Sequence, residues 1–392
     1  MSTANLHAAS SQWASRPADE RFWTMRDMRL ACEAVRAGCA TKRVPIGSLA
    51  ATADGGALML RGPEGRAPAH LTHYAFGQLA TTVGAPAAYL RDLPADTAAA
   101  CLNVGLAKVA REGRSDRDLL FHTNGRLTVR AMLSDKYERV WDSEVCRYFE
   151  SLTDRGWRAP AGRTPPGYTG ATRPATADDI LPGQINIAPG TNIAPAGLYA
   201  SDHDMFAFLV APDRVIEDGT GGALMRGIFV RNSEVGDASL SVTFFLMQAV
   251  CGNHIVWGAR GVHEIRVRHV GDAPMRRALR GFETELRTYL DGAPDEARMI
   301  AAARKLVLGN TKAEVLDAIV KYAKGHSLPL SRARVDAALD VAAEHEDWYG
   351  NPRTVWAAVA GLTHASQTGG FADDRAGVDR AAGALLGMVS DF

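Results

Sequence analysis

Between residues 198 and 270 the chain is a succession of β-prone runs broken by glycine turns, and from Pro274 onward its apolar positions recur at helical spacing. This separation constrains the fold more than any other feature. A chain that groups its strands and then its helices builds an α+β fold, because alternating βαβ units need the two interleaved. Residues 205–211 read as a strand, and 225–232, 240–250 and 255–259 continue the sheet, with turns at Gly221-Gly222, Gly236-Asp237 and Gly252-Asn253. The helical part divides into 275–290, 294–308, 311–324, 331–346 and 352–366. Thr311-Lys-Ala-Glu314 has capping-box form, and Pro352 behind Asn351 fits the first position of a helix.

Upstream, residues 119–133 hold Asn124-Gly125 between two β-prone runs. That dipeptide predicts a hairpin with a type I′ turn, in which both central residues take positive φ. Ala75, Phe76, Leu79 and Val83 predict a helix, broken at Gly84-Ala-Pro86 and followed by two more before residue 107. Asp142 or Ser143 is expected to cap a helix over 144–152. Residues 158–196 are rich in Pro, Gly, Thr and Ala, and read as a long loop or flap with one short strand near 184–188. The expected organisation is a loose segment 1–20, an α+β core 21–272 with an antiparallel sheet, β-hairpins and flanking helices, and a helical region 273–392.

The 44 basic and 44 acidic residues balance, which argues against a globally basic nucleic-acid binder but not against a local patch. Six arginines stand against two acids over 254–280, and five against nine acids over 331–392. The five cysteines form no CxxC pair, so a zinc ribbon or disulfide framework is not expected, and reduced thiols are. No apolar run approaches membrane-spanning length and the N-terminal residues lack an apolar leader core, so a cytoplasmic protein without a membrane is expected. The GxxxxGK[ST] phosphate loop, HExxH, GxSxG and the dinucleotide fingerprint are all missing from the sequence. The reading therefore leans away from an enzyme and assigns no catalytic residue and no cofactor.

Arginine donates two hydrogen bonds from a planar fork and suits phosphate. Arg130, Lys136, Arg139, Arg260, Arg266 and Arg268 are the expected phosphate contacts, with Tyr137 and Trp141 as stacking faces for unpaired bases. Asp202, Asp204 and His254 are candidate metal ligands for an alternative in which the chain is a metal-dependent enzyme, or a small-molecule binder under a lid at 158–196. A third alternative is a host-protein interaction or anti-defence protein that uses the acidic tail.

Several stretches carry a family resemblance. They are Ala75-Phe-Gly-Gln-Leu79 with Gly84-Ala-Pro86 and Tyr89-Leu90, Arg130-Ala-Met-Leu-Ser-Asp-Lys-Tyr-Glu-Arg-Val-Trp141, Asn232-Ser-Glu-Val-Gly236, and Cys251-Gly-Asn253. Together the chain resembles the phage/plasmid-like family known as domain of unknown function 932, over about residues 70–270 and on toward the C-terminal helices. The resemblance implies a setting in phage or plasmid DNA metabolism. The β-rich core with a hairpin and flanking helices is also similar to single-strand annealing recombinases, which implies a DNA-binding recombination protein that holds single-stranded DNA without nucleotide hydrolysis and assembles as a homo-oligomer.

Overall fold

The computed structural model describes residues 17–62, 67–113, 116–164, 167–182, 187–217, 223–248, 254–256, 264–291, 293–367, 378 and 381–390. A short strand β1 (Arg21–Phe22) leads into α1 (Met25–Ala37), where the Thr24 hydroxyl accepts the Asp27 N–H at 3.0 Å and caps the helix. Then come β2 (Cys39–Val44), β3 (Ala50–Asp54), β4 (Ala57–Arg61), β5 (Ala69–Leu71), α2 (His73–Val83), α3 (Ala87–Arg91), α4 (Ala95–Arg111), β6 (Arg117–Asn124) and β7 (Arg126–Ser134). The six strands form one sheet in the order β2-β6-β7-β5-β4-β3, antiparallel except for the β5–β7 pair. Helices α2 and α4 cover it, burying Leu79, Leu102 and Leu106 against Val129 and Met132. The β6–β7 hairpin turns where the sequence predicts. Asn124 pairs with Arg126, however, and of the two turn residues only Gly125 has positive φ (69°), so the turn is tighter than type I′.

Helix α5 (Asp142–Thr153) packs beside α1 and leads into a small sheet of β8 (Ala161–Arg163), β9 (Arg173–Pro174) and β10 (Asn192–Pro195). Segment 158–196 thus carries three short strands. The described end of the expected strand, Ile187 and Ala188, is in none of them, and residues 184–186 lie outside the described residues. Strands β11 (Leu198–Ala200), β12 (Met205–Glu217), β13 (Ala223–Asn232), β14 (Leu240–Gln248), β15 (His254–Val256) and β16 (Glu264–Val267) form the large sheet, antiparallel throughout, with β1 at one edge and both β15 and β16 on β14. Because strand residues alternate between faces, Leu209, Ile228, Val230, Val242 and Phe244 pack on α1, α5 and α6 (Pro274–Asp291), while Phe206, Phe208, Phe229 and Phe245 form a second cluster on the opposite face.

The helical region follows as α7 (Ala293–Lys305), α8 (Lys312–Gly325), α9 (Arg332–Glu344), α10 (Glu346–Tyr349) and α11 (Val355–Gln367), around buried Ile319, Leu339 and Trp356. The Thr311 hydroxyl accepts the Glu314 N–H at 3.2 Å, and Glu314 reaches the Asn310 N–H instead of closing a full box. Pro352 is in the turn before α11, three residues ahead of its first position, and Thr354 is the residue whose hydroxyl accepts from Ala357. The fold is α+β with antiparallel and mixed sheets and C-terminal helices. Among the described residues no helix is long and apolar enough to cross a membrane.

Candidate functional site

The turn from Asn232 to Gly236, between β13 and β14, is where the two halves of the chain are tied together. Glu234 is 2 % exposed and Arg130, on β7, is 4 % exposed; the guanidinium donates to the Glu234 carboxylate at 2.9 Å and to the Asp202 carbonyl at 2.8 Å. The other Glu234 oxygen accepts the Asp142 N–H at 3.0 Å. A carboxylate from a turn distant in sequence therefore satisfies an orphan donor at the start of α5, the place where the helix dipole favours negative charge. Asp142 and Ser143 do not cap this helix, because both are buried within it. Asn232 donates to the Val140 carbonyl at 2.9 Å and to Asp142 Oδ1 at 2.7 Å.

Gln78 on α2 donates to the Val235 carbonyl at 2.8 Å and accepts the Met132 N–H at 2.7 Å, so one amide joins helix, hairpin and turn. Gly236 closes the turn at φ 87°, and a Cβ there would stand 2.8 Å from Leu133 Cδ2. Gly236→Ala is expected to cost about 1–3 kcal/mol, because an L side chain is strained at that φ and the contact is blocked. A urea midpoint unchanged from wild type would show that the turn relaxes freely.

The stretch after β7 meets the end of β16. Tyr137 bridges to Val270, and the Glu138 N–H donates to the His269 carbonyl at 2.8 Å. His269 is buried. Its Nε2 accepts the Leu240 N–H at 3.1 Å, which requires the proton on Nδ1, where the partner is the Tyr137 hydroxyl. Tyr137 then donates to the Ser233 carbonyl at 2.9 Å. This chain of bonds needs a neutral imidazole, and burial together with the nearby Arg139 charge lowers the His269 pKa to about 4. Burial pushes the Tyr137 hydroxyl up.

A cavity of about 570 Å3 opens beside this junction. Its walls come from α1 (Ala31, Cys32, Val35), the β6–β7 hairpin (His122, Arg126, Arg130), the turn after β11 (Ser201, Asp202), Asp142 and Glu234. Asp142 is 3 % exposed, and burial, then the Glu234 charge, raises its carboxyl well above the usual range. Asp142 Oδ1 takes the Asn232 bond.

The expected nucleic-acid residues divide into two sets. Arg130 faces Glu234 and not solvent, so it is unavailable to phosphate, because leaving that site would bury an unpaired carboxylate. Tyr137 is half-buried and held by His269 and Ser233. Trp141 has the Arg36 and Arg139 guanidinium groups at 4.8 and 5.4 Å from its ring, and Arg139 also donates to the Glu234 carbonyl. Lys136, Arg266 and Arg268 are exposed. Arg260 lies outside the described residues.

The basic run over 254–280 includes Arg276 and Arg280, but the phosphate contacts expected from the sequence leave out the outward side of α6. Its exposed positions Arg276, Arg280, Thr284, Arg287 and Thr288 recur at three- and four-residue steps without an acid among them, and the three arginines form no ion pair among the described residues. That spacing was visible in the sequence. Arg277 is turned to structure, donating to the Val270 carbonyl at 2.8 Å.

The metal candidates do not converge. Asp202, His203 and Asp204 share a turn, with His203 Nδ1 2.8 Å from Asp202 and Nε2 3.6 Å from Asp204. His254 pairs with Gln248 and through it aligns with Leu224, whereas Met205 pairs with Asn232. The eight steps between Leu224 and Asn232 place His254 roughly 27 Å away along the sheet, at ~3.4 Å per residue. Among the described residues no group of three or more His, Cys, Asp or Glu side chains is arranged to hold a metal ion.

A family model described as "Domain of unknown function (DUF932)" matches residues 184–384, just over half of the chain. The match takes in β11 to β16 of the large sheet, the Asn232–Gly236 turn and most of the C-terminal helices; β1 and the segments at 75–90 and 130–141 stand outside it. No curated protein and no solved structure matches the chain.

Proposed function

The chain belongs to the domain of unknown function 932 family, and from that premise we propose that it is a DNA-binding protein that holds the phosphate backbone without hydrolysing nucleotides. The observation that carries this reading is the acid-free outward side of α6, with Arg276, Arg280 and Arg287 exposed and without ion pairs among the described residues. Lys136, Arg266 and Arg268 add exposed cations. Arg266 and Arg268 lie on the sheet face opposite Ile265 and Val267, which pack toward the helices, so a strand touching both sets follows the β16 edge around α6. Unpaired arginines on a helix face release counterions when they neutralise phosphates, and this term supplies most sequence-independent affinity.

Single-stranded DNA is the proposed ligand, held by phosphate contacts with little stacking, because Tyr137 and Trp141 are engaged elsewhere. Annealing of complementary strands by an oligomer is the finer form of the proposal. The test is fluorescence anisotropy with labelled single-stranded and duplex DNA across a salt series, beside light scattering. Arg276→Glu, Arg280→Glu and Arg287→Glu together should cost roughly tenfold or more in affinity and reduce the single-strand salt slope by about two. Unchanged affinity and slope in the triple variant would remove α6 as the binding face.

A further inference from the structure

A second cavity, of about 550 Å3, lies between α2, α3 and the end of the β6–β7 pair. Arg91 from α3 and Arg117 from β6 line it, and among the described residues no aspartate or glutamate does. Arg91 is held at the wall. Its Nη2 donates to the His73 carbonyl at 3.0 Å, and its guanidinium carbon stands 5.0 Å from the centre of the Phe76 ring. It forms no ion pair among the described residues. Arg117 is the register partner of Ser134, so both side chains rise on one face of the sheet. Asp118, the next residue of β6, points to the other face and is taken by Arg43 at 3.0 Å.

The sheet aims a donor at the same space. β5 pairs with β7 only as far as Val129, where the chain turns into α2, so among the described residues no strand covers that edge of β7 further on. The Met132 N–H leaves the ladder on this side, toward Gln78 Oε1 at 2.7 Å. Alternation along the strand points the Ser134 N–H the same way, and Ser134 lines the cavity. Arginine forks, a backbone N–H and a hydroxyl approaching from different walls suit a tetrahedral phosphate, which carries about two negative charges and spreads them over three acceptor oxygens. A planar carboxylate, with fewer oxygens, leaves part of this donor set unmet. The cavity is larger than a bare phosphate needs and falls in the range of small-ligand pockets, and Ala87, Met132 and Leu133 give it an apolar wall.

We propose that this cavity binds a phosphate monoester, with the phosphate between Arg91, Arg117 and the Ser134 N–H and the organic part along Ala87, Met132 and Leu133. A free small phosphomonoester and the 5′-phosphate end of a DNA strand present the same group. The site uses none of the α6 residues and goes beyond the reading of that face.

Isothermal titration of the full chain in phosphate-free buffer tests this, with adenosine 5′-monophosphate, adenosine, and a short single-stranded oligonucleotide with and without its 5′-phosphate. The oligonucleotides are titrated into the Arg276, Arg280 and Arg287 triple variant, so that α6 does not contribute. One saturable site per chain is expected for a phosphorylated probe, with its phosphate-free counterpart roughly tenfold or more weaker. Tighter binding of the monophosphate assigns the site to a free small molecule, and tighter binding of the phosphorylated strand assigns it to a DNA end. Arg91→Glu should weaken binding roughly tenfold or more, and so should Ser134→Pro, which removes an N–H that lies outside the ladder. Lys321→Glu, at an exposed cation of α8, should leave it unchanged. The proposal is overturned if neither phosphorylated probe saturates, if the phosphate-free probes bind as tightly, or if Arg91→Glu or Ser134→Pro binds as wild type does. Failure here leaves the α6 face untouched, because the triple variant should bind the monophosphate as wild type does.

Discussion

Glu234→Ala is expected to lower the stability of the folded chain by about 3–5 kcal/mol, the range for breaking a buried ion pair from one side. The loss has three parts. Arg130 remains in place at 4 % exposure with its counter-charge gone. The Asp142 N–H at the start of α5 loses its acceptor, and no neighbouring side chain caps that helix instead. The removed side chain also leaves a void at the wall of the cavity. A double variant separates charge from packing. Arg130→Met with Glu234→Leu removes both charges and keeps most of the volume, so it should recover a large share of the loss, because the desolvation cost of the pair disappears with it. Urea unfolding of the two single variants and the double variant gives the coupling energy directly. A coupling below about 0.5 kcal/mol would mean that the pair is not the tie between the hairpin and the large sheet.

Acidification should weaken the fold through His269. Its folded pKa is lowered to about 4, whereas an unfolded histidine titrates near 6.5. Below pH 6.5 the unfolded chain takes up a proton that the folded chain refuses. The stabilisation from the neutral, buried imidazole is therefore full above pH 6.5 and is lost as pH falls toward 4, by about 3 kcal/mol in all. Asp142 acts in the opposite sense. Its folded pKa is raised, so the folded chain holds a proton that the unfolded chain releases, and the cost of burying that carboxyl shrinks as pH falls. The net curve mixes the two, and a variant separates them. In His269→Gln the side chain can still accept from Leu240 but does not titrate. The stability gap between wild type and this variant should close by about 3 kcal/mol between pH 7 and pH 4. A gap constant over that range would mean that His269 takes up its proton in the folded chain as readily as in the unfolded one.

The local elements were readable because their causes are local. Thr311 precedes an apolar run at helical spacing, and it is the observed cap of its helix. Gly125 turns the hairpin because a bend of that tightness needs positive φ. Errors arose where a local signal had a distant competitor. Asp142 looked like a cap, yet Glu234 takes that role from 92 residues away. Pro352 looked like a helix start, yet the Val355 N–H bonds back to the Leu306 carbonyl and the helix begins later. Arg130, Arg139, Arg266 and Arg268 are alike as letters, and composition has no means of ranking their burial.

The sequence by itself determined the α+β class, most helix positions, the hairpin and the strand runs of the large sheet, since periodicity and turn chemistry are properties of neighbouring residues. It also held the helical spacing of Arg276, Arg280 and Arg287. Only the tertiary structure decided that Arg130 pairs with Glu234 across 104 residues, that β5 lies parallel to β7, and that Asp142 and the apolar side of α1 share one cavity. The reason is that desolvation and ion pairing depend on what else occupies the space around a side chain, and that neighbourhood is assembled from segments far apart in the chain.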